Sequence, residues 1–302
     1  MSSNNLIRLI YQVKELRFLP PVPNDPWDDV RDATTHGNIC KQFLTGDEDC
    51  LFLSVYTPLL EFDENTPSNA LPVMVFIHGG AFSVGDNSMA DGFFFADHDV
   101  IVVSLNYRLG PFGFLSLNTT EVSGNQGIRD QQLALKWVQK NIHKFGGDPS
   151  KVTIFGQSAG SWSVIHHLFA PGSKGLFSGA IGQSGTILGM NLRAKSNQEA
   201  YDAGRSLANE LLCFGSNPLE CMQSRPASAI AALPYFPRTT VDGIISDDPI
   251  LPTQPELLLE VSFQHLFQTF LTLHFQFAYL VTRLQSSAFD PWTYHSRRNT
   301  VC

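Results

Sequence analysis

A serine flanked by two glycines stands in a context that favours nucleophilic chemistry. The motif is Gly156-Gln157-Ser158-Ala159-Gly160. Residues 152–155 before it are apolar and predict a buried strand, and residues 161–169 after it predict a helix. The G-x-S-x-G elbow requires this context, because its serine projects from a sharp turn between strand and helix. The pattern therefore predicts that Ser158 attacks a carbonyl carbon.

A second motif supplies groups that could stabilise the product of that attack. His78-Gly79-Gly80-Ala81 directly follows the apolar segment 73–77. Attack on an ester carbonyl creates an oxyanion, and each fixed N–H donor beside it lowers the barrier by about 3 kcal/mol. A glycine turn that merely ends a strand is the alternative, but its pairing with the elbow favours an oxyanion hole. The candidate residues are Gly79, Gly80, Ala81 and Ala159.

The elements needed to position these motifs are those of an α/β fold. Residues 73–77, 100–105 and 152–155 are short, apolar and rich in β-branched side chains, which predicts strands of a parallel sheet. Residues 125–145 carry apolar side chains at helical spacing, and 195–212 predict an exposed amphipathic helix. Strand, helix and strand in this order predict a right-handed βαβ unit, hence a mostly parallel sheet with helices on both faces.

Composition limits the partners of the protein. The 302 residues are 43% hydrophobic and 16% charged, enough for one large core, and the net charge is −8. No basic field is present to hold nucleic acid or an acidic membrane surface. Residues 263–281 are dense in Phe and Leu, but their polar residues make a poor transmembrane helix. We expect neither nucleic acid nor membrane as a partner, and the oligomeric state stays open.

Cysteines and the N-terminus point to different compartments. The pairs Cys40/Cys50 and Cys213/Cys221 could close surface loops in an oxidising compartment, with buried free thiols as the alternative and Cys302 left over. Asn118-Thr119-Thr120 matches an N-glycosylation acceptor. The first residues, however, lack the apolar run of a signal peptide. The expected location is extracellular or in the secretory pathway, although these first residues do not read as a signal peptide.

The motifs together resemble the type-B carboxylesterase and lipase family, which includes cholinesterases, arthropod carboxylesterases and juvenile hormone esterases. Family-like blocks occur in family order: Glu15-Leu16-Arg17-Phe18, Glu48-Asp49-Cys50-Leu51, Asn106-Tyr107-Arg108, Gly124-Asn125-Gln126-Gly127 and Phe145-Gly146-Gly147-Asp148-Pro149. The resemblance covers residues 14–260 and implies the α/β-hydrolase fold. It also implies hydrolysis of a small-molecule carboxylic ester through an acyl-enzyme on Ser158, without cofactor or metal.

The same resemblance implies several structural pairings. Two are disulfides, Cys40–Cys50 and Cys213–Cys221. Two are salt bridges, Arg17–Glu48 and Arg108–Asp130.

The sequence also departs from the family pattern. The family places its triad acid and histidine downstream of the elbow, and neither block is found in this chain. Residues 261–302 resemble nothing in the family, so we expect a domain truncated at both ends, an unrelated hydrophobic tail and little turnover. Local substitutes for the triad would be the following residues: His265, His274, His295, Asp242, Asp247 and Asp248. Alternatives to an esterase are a non-catalytic cholinesterase-like binding or adhesion protein and a non-functional truncated product.

Overall fold

The computed structural model describes residues 5–8, 16–25, 28, 33, 35–59, 70–90, 92, 95, 97–186, 193–255 and 257. The chain divides into two compact units, Met1–Pro255 and Glu256–Cys302. All elements given below belong to the first unit. The predicted tail at 261–302, with His265, His274 and His295, lies outside the described residues.

A six-stranded sheet in the order β1-β2-β4-β3-β5-β6 forms the centre of the described part of the chain. The strands are β1 (Asn5–Arg8), β2 (Phe52–Tyr56), β3 (Leu71–Ile77), β4 (Ile101–Leu105), β5 (Gly147–Gln157) and β6 (Gly179–Gln183). β1 pairs antiparallel with β2, and β2 pairs antiparallel with β4. The other three pairings are parallel. The mostly parallel α/β fold predicted from the sequence is therefore confirmed.

The described residues include six helices. They are α1 (Gly110–Phe114), α2 (Gln126–Asn141), α3 (Ala159–Phe169), α4 (Asn197–Glu210), α5 (Leu219–Ser224) and α6 (Ala227–Ala231). Short 3₁₀ turns occupy Asn87–Met89, Ile142–Phe145 and Pro171–Ser173.

Sequence-predicted helices match the observed ones with shifted ends. The helix predicted over 125–145 is α2 followed by a 3₁₀ turn, which ends at Gly146 in the left-handed conformation, φ 79°. The helix predicted over 195–212 is α4, which begins with a capping box: Ser196 accepts from the backbone of Glu199, whose carboxylate accepts in return.

Three strands have no counterpart in the sequence prediction: β1, β2 and β6. β2 is fully buried although it contains Ser54 in an otherwise apolar stretch. The Ser54 hydroxyl accepts a hydrogen bond from Asn87 Nδ2 at 3.0 Å, which satisfies a polar group inside the core. That partner is 33 residues away, so periodicity alone could not indicate this strand.

Ion pairs and disulfides tie the loops to the sheet. Arg108 Nη2 lies 2.7 Å from Asp130 Oδ1, and Arg17 pairs with Glu48. Disulfides join Cys40 to Cys50 and Cys213 to Cys221, with Cα–Cα separations of 4.7 and 5.6 Å. None of the helices in the described ranges is long and apolar enough to cross a membrane.

Candidate active site

Ser158 occupies the turn between β5 and α3. Its backbone has φ 57° and ψ −121°, a conformation that a non-glycine residue adopts only when its surroundings impose it. Two backbone bonds hold it: Ser158 N–H donates to Gln183 O at 2.9 Å, and Ser158 O accepts from Trp162 N–H at 3.1 Å. Such strain costs about 1–3 kcal/mol and is concentrated at functional sites.

The glycines of the elbow allow the turn to lie against β3. A Cβ added to Gly160 would lie 2.0 Å from Ile77 O, and one added to Gly156 would lie 2.5 Å from Gly160 C. Both contacts are to backbone, which cannot move aside as a flexible side chain can. The spacing read from the sequence is therefore explained by the close approach of α3 to the end of β3.

The loop after β3 runs beside the elbow. A Cβ added to Gly79 would lie 3.3 Å from Ser158 Cβ. Gly80, Ala81 and Phe82 have φ of 107°, 55° and 57°, so three consecutive residues take the left-handed side of φ space. The Gly80 carbonyl accepts from Ser83 N–H at 2.9 Å and Val84 N–H at 3.0 Å. The tight turn at Gly80 and Ala81 therefore adjoins the serine.

His78 supports this loop from inside the core. Its ring stacks on Tyr107 with centroids 4.3 Å apart, and its Nδ1 lies 2.8 Å from Gly79 O. Tyr107 donates its hydroxyl to His78 O at 2.8 Å. Burial lowers the pKa of His78 to about 4, so the ring is neutral at pH 7. His78 is thus a packed residue of the loop.

A cleft of about 360 Å³ lies in front of Ser158. Its lining residues are Ala81, Ser158, Ala159, Trp162, Ser184, Gly185, Thr186, Phe236 and Pro237. The structure thus brings Ser158, Ala81 and Ala159 together at one cleft.

Sequence reasoning did not identify six of the lining residues: Trp162, Ser184, Gly185, Thr186, Phe236 and Pro237. Trp162 carries a usable signal, since it lies four residues after Ser158 and so on the same face of α3. Phe236 is 78 positions further along the chain than Ser158 and has no local signal.

No hydrogen bond joins the Ser158 hydroxyl to a histidine among the described residues. His166 and His167 are buried, and burial lowers their pKa values to about 4 and about 3. Asp242 is buried, its pKa is raised by burial, and its carboxylate accepts from Arg129 Nη2 at 3.0 Å and from the backbone N–H of Leu251 at 2.8 Å. Asp242 is therefore engaged in a structural ion pair. Asp247 and Asp248 are exposed.

Comparison with known proteins gives a match to one family model and matches to several curated proteins. The Carboxylesterase family model matches residues 12–276. Pyrethroid hydrolase Ces2e of Rattus norvegicus is 40% identical over 267 residues, which is 82% of this chain and 46% of that protein. Venom carboxylesterase-6 of Apis mellifera is 40% identical over 232 residues, 72% of this chain and 40% of that protein. Esterase E4 of Myzus persicae is 39% identical over 268 residues, 82% of this chain and 48% of that protein.

This chain thus spans about half the length of the curated relatives that it matches. The match nevertheless covers both the glycine loop after β3 and the strained serine turn after β5. On these grounds, the chain belongs to the carboxylesterase family.

Proposed function

We propose that this protein is a carboxylic-ester hydrolase that uses Ser158 as its nucleophile. The observation that carries the proposal is the strained turn at Ser158, which opens onto a cleft whose volume of about 360 Å³ lies within the range of small-molecule sites. The matched relatives are named as esterases or hydrolases, which favours an enzyme over the adhesion alternative. The proposed substrate is a small-molecule carboxylic ester.

In the proposed reaction, Ser158 Oγ bonds to the ester carbonyl carbon, and the carbonyl oxygen becomes an oxyanion. The backbone N–H groups of Gly80, Ala81 and Ala159 are the proposed donors to that oxyanion, with Gly79 holding the loop against the serine. The C–O bond to the alcohol then breaks, the alcohol leaves with a proton, and water hydrolyses the acyl-enzyme. This acyl transfer needs neither a metal nor a cofactor.

A base must accept the serine proton for turnover to be fast. The buried histidines nearest the elbow in sequence and its glycine loop, His78, His166 and His167, are hydrogen-bonded to other groups. An oxyanion hole and binding alone leave an acceleration of about 10³ to 10⁴ over water. We therefore expect slow turnover wherever no further base reaches Ser158.

The test is covalent labelling of the folded chain with a fluorophosphonate probe, which reacts with an activated serine. We expect slow labelling on Ser158, in keeping with the slow turnover, and its complete loss in Ser158→Ala. Ser184→Ala is the matched control, because Ser184 lines the same cleft and should keep the label. A folded wild-type chain that takes no label would contradict an activated Ser158.

We infer further that the protein follows the secretory route and carries an N-linked glycan on Asn118. Two disulfides favour an oxidising compartment. Asn118, Thr119 and Thr120 are all exposed in a bend between α1 and α2. Both the amide that would accept the glycan and the threonine hydroxyl two residues later are therefore accessible.

Expression in eukaryotic cells behind a cleavable secretory leader tests this modification. We expect one glycan, released by a peptide amidase with conversion of Asn118 to Asp. Asn118→Gln and Thr120→Ala should both abolish it, whereas Thr120→Ser should retain it because the hydroxyl is kept. A secreted protein with unmodified Asn118 would refute the assignment.

A further inference from the structure

A continuous chain of six hydrogen bonds runs from solvent to the first residue of α3. In order, its members are Lys136, Gln132, Ser173, His167, Gln131, Ser163 and Ala159, with donor–acceptor distances of 3.2, 3.1, 2.9, 3.0, 3.0 and 3.0 Å. We call this the His167 chain. All its members except the exposed Lys136 are buried. It connects α2, the 3₁₀ turn Pro171–Ser173 and two turns of α3.

The two ends of the His167 chain determine its direction. The Lys136 ammonium can only donate, and the Ala159 carbonyl oxygen can only accept. The Gln132 amide donates to Ser173, and the Ser163 hydroxyl, which donates to Ala159 O, must accept from the Gln131 amide, so these bonds point from Lys136 towards Ala159. The Ser173–His167 bond points the same way when the His167 ring is neutral. Aligned hydrogen bonds of this kind polarise and strengthen one another.

This direction assigns the proton on His167. Gln131 donates from Nε2 to Ser163, so its Oε1 faces His167 and must accept. His167 Nε2 therefore carries the proton, and its Nδ1 accepts the Ser173 hydroxyl. Burial lowers the pKa of His167 to about 3, which keeps the ring neutral and the alignment intact at pH 7.

The His167 chain ends beside the reactive serine. Ala159 follows Ser158 directly, and its carbonyl accepts the Ser163 hydroxyl that terminates the chain. The strained Ser158 conformation persists only if neighbouring groups hold it. Movement of Ala159 would displace both the Ser158 side chain and the Ala159 N–H, which is one of the proposed oxyanion donors.

We propose that His167 is a positioning residue for Ser158. Its neutral ring, protonated on Nε2, is the only titratable member of the buried part of the chain and keeps the bonds aligned towards Ala159. The link to reactivity rests on the proposed function, whereas the tautomer and the rigidity of the turn do not.

The experiment uses the full 302-residue chain and three variants. His167→Phe removes both ring nitrogens from the chain. His167→Gln supplies one donor and one acceptor, as the neutral ring does, and serves as the rescue variant. His166→Phe is the matched control, since His166 is also buried in α3 and, among the residues that the structure describes, its ring bonds to Trp162 O, outside the His167 chain.

Three measurements are made. Nitrogen-15 NMR of the wild-type ring should show a protonated Nε2 and an unprotonated Nδ1 on His167. Hydrogen exchange of the peptide containing Ser158 should be about tenfold faster in His167→Phe than in His166→Phe at equal distance from the melting temperature. Fluorophosphonate labelling of Ser158 should slow by about tenfold in His167→Phe, because a small misplacement of a reacting group has effects of this size or more. His167→Gln should recover most of both losses.

A His167 ring that is charged or protonated on Nδ1 at pH 7 would overturn the inference. So would equal exchange of the Ser158 peptide in His167→Phe and His166→Phe. If wild type shows the expected tautomer and exchange but takes no label, the positioning role is retained and the proposed function fails. If His167→Phe does not fold, the wild-type tautomer and the exchange of His167→Gln still decide the outcome.

Discussion

Gly160→Ala is expected to destabilise the protein by about 3 kcal/mol or more, a large part of the 5–15 kcal/mol by which domains are ordinarily stable. The added methyl would lie 2.0 Å from Ile77 O and 3.0 Å from Ile77 C. Both are backbone atoms at the end of the central strand β3, so the first turn of α3 would have to move away from the sheet. Denaturant unfolding, followed by circular dichroism, measures the change.

Gly175→Ala is the matched control for this substitution. Gly160 lies in the first turn of α3, whereas Gly175 lies in a turn where an added Cβ meets nothing within 4 Å. Its φ of 80° still disfavours alanine, so a loss of about 1 kcal/mol is expected. A loss at Gly160 no larger than the loss at Gly175 would contradict a dominant clash with Ile77 O, because alanine is otherwise favoured at a helical position such as Gly160. The labelling rate of Ser158 should fall in Gly160→Ala alone.

Arg108→Met is expected to cost about 3–5 kcal/mol of unfolding free energy, because it leaves the Asp130 carboxylate buried without its cation. Arg108 donates to both carboxylate oxygens, at 2.8 Å from Nε and 2.7 Å from Nη2. Its Nη1 also donates to Leu19 O at 2.9 Å, which fastens the segment before β2 to the core. The side chain of Asp130 is fully buried and that of Arg108 is 8% exposed.

Two comparisons distinguish the ion pair from simple loss of packing. Arg108→Met combined with Asp130→Leu removes both charges, so it should cost less than the sum of the single variants. Lys151→Met breaks an exposed pair with Asp148, in which the lysine is 62% exposed, and should change stability by less than about 1 kcal/mol. Strictly additive costs in the double variant would mean that the Arg108–Asp130 pair has no special role.

The parts of the site that could be predicted from sequence are those whose causes are local. Gly156 and Gly160 each lie two positions from Ser158, and a tight turn needs that spacing in any tertiary context. The glycine loop at Gly79 and Gly80 is recognisable for the same reason. Segments of continuous apolar sequence likewise predicted β3, β4 and β5, and β4 is buried at every position, as a strand covered on both faces requires.

Other features depend on contacts between distant residues. Phe236 lines the cleft although nothing near it in sequence indicates this. Asp242 looked available as a triad acid, but Arg129 binds it from 113 residues away. Ala81 and Phe82 take left-handed backbone that their residue types do not favour, because the surrounding loop and core impose it.

By itself, the sequence determined the fold class, the strand–serine–helix turn and the family, since each depends on local spacing or on blocks of matching residues. The tertiary structure decided which side chains share the cleft and that Asp242 is paired with Arg129. It also decided that His167 is neutral in a directed hydrogen-bond chain. The physical reason is that hydrogen-bond direction, burial and charge pairing are set by partners brought together in space. Those partners are often a hundred or more residues apart along the chain.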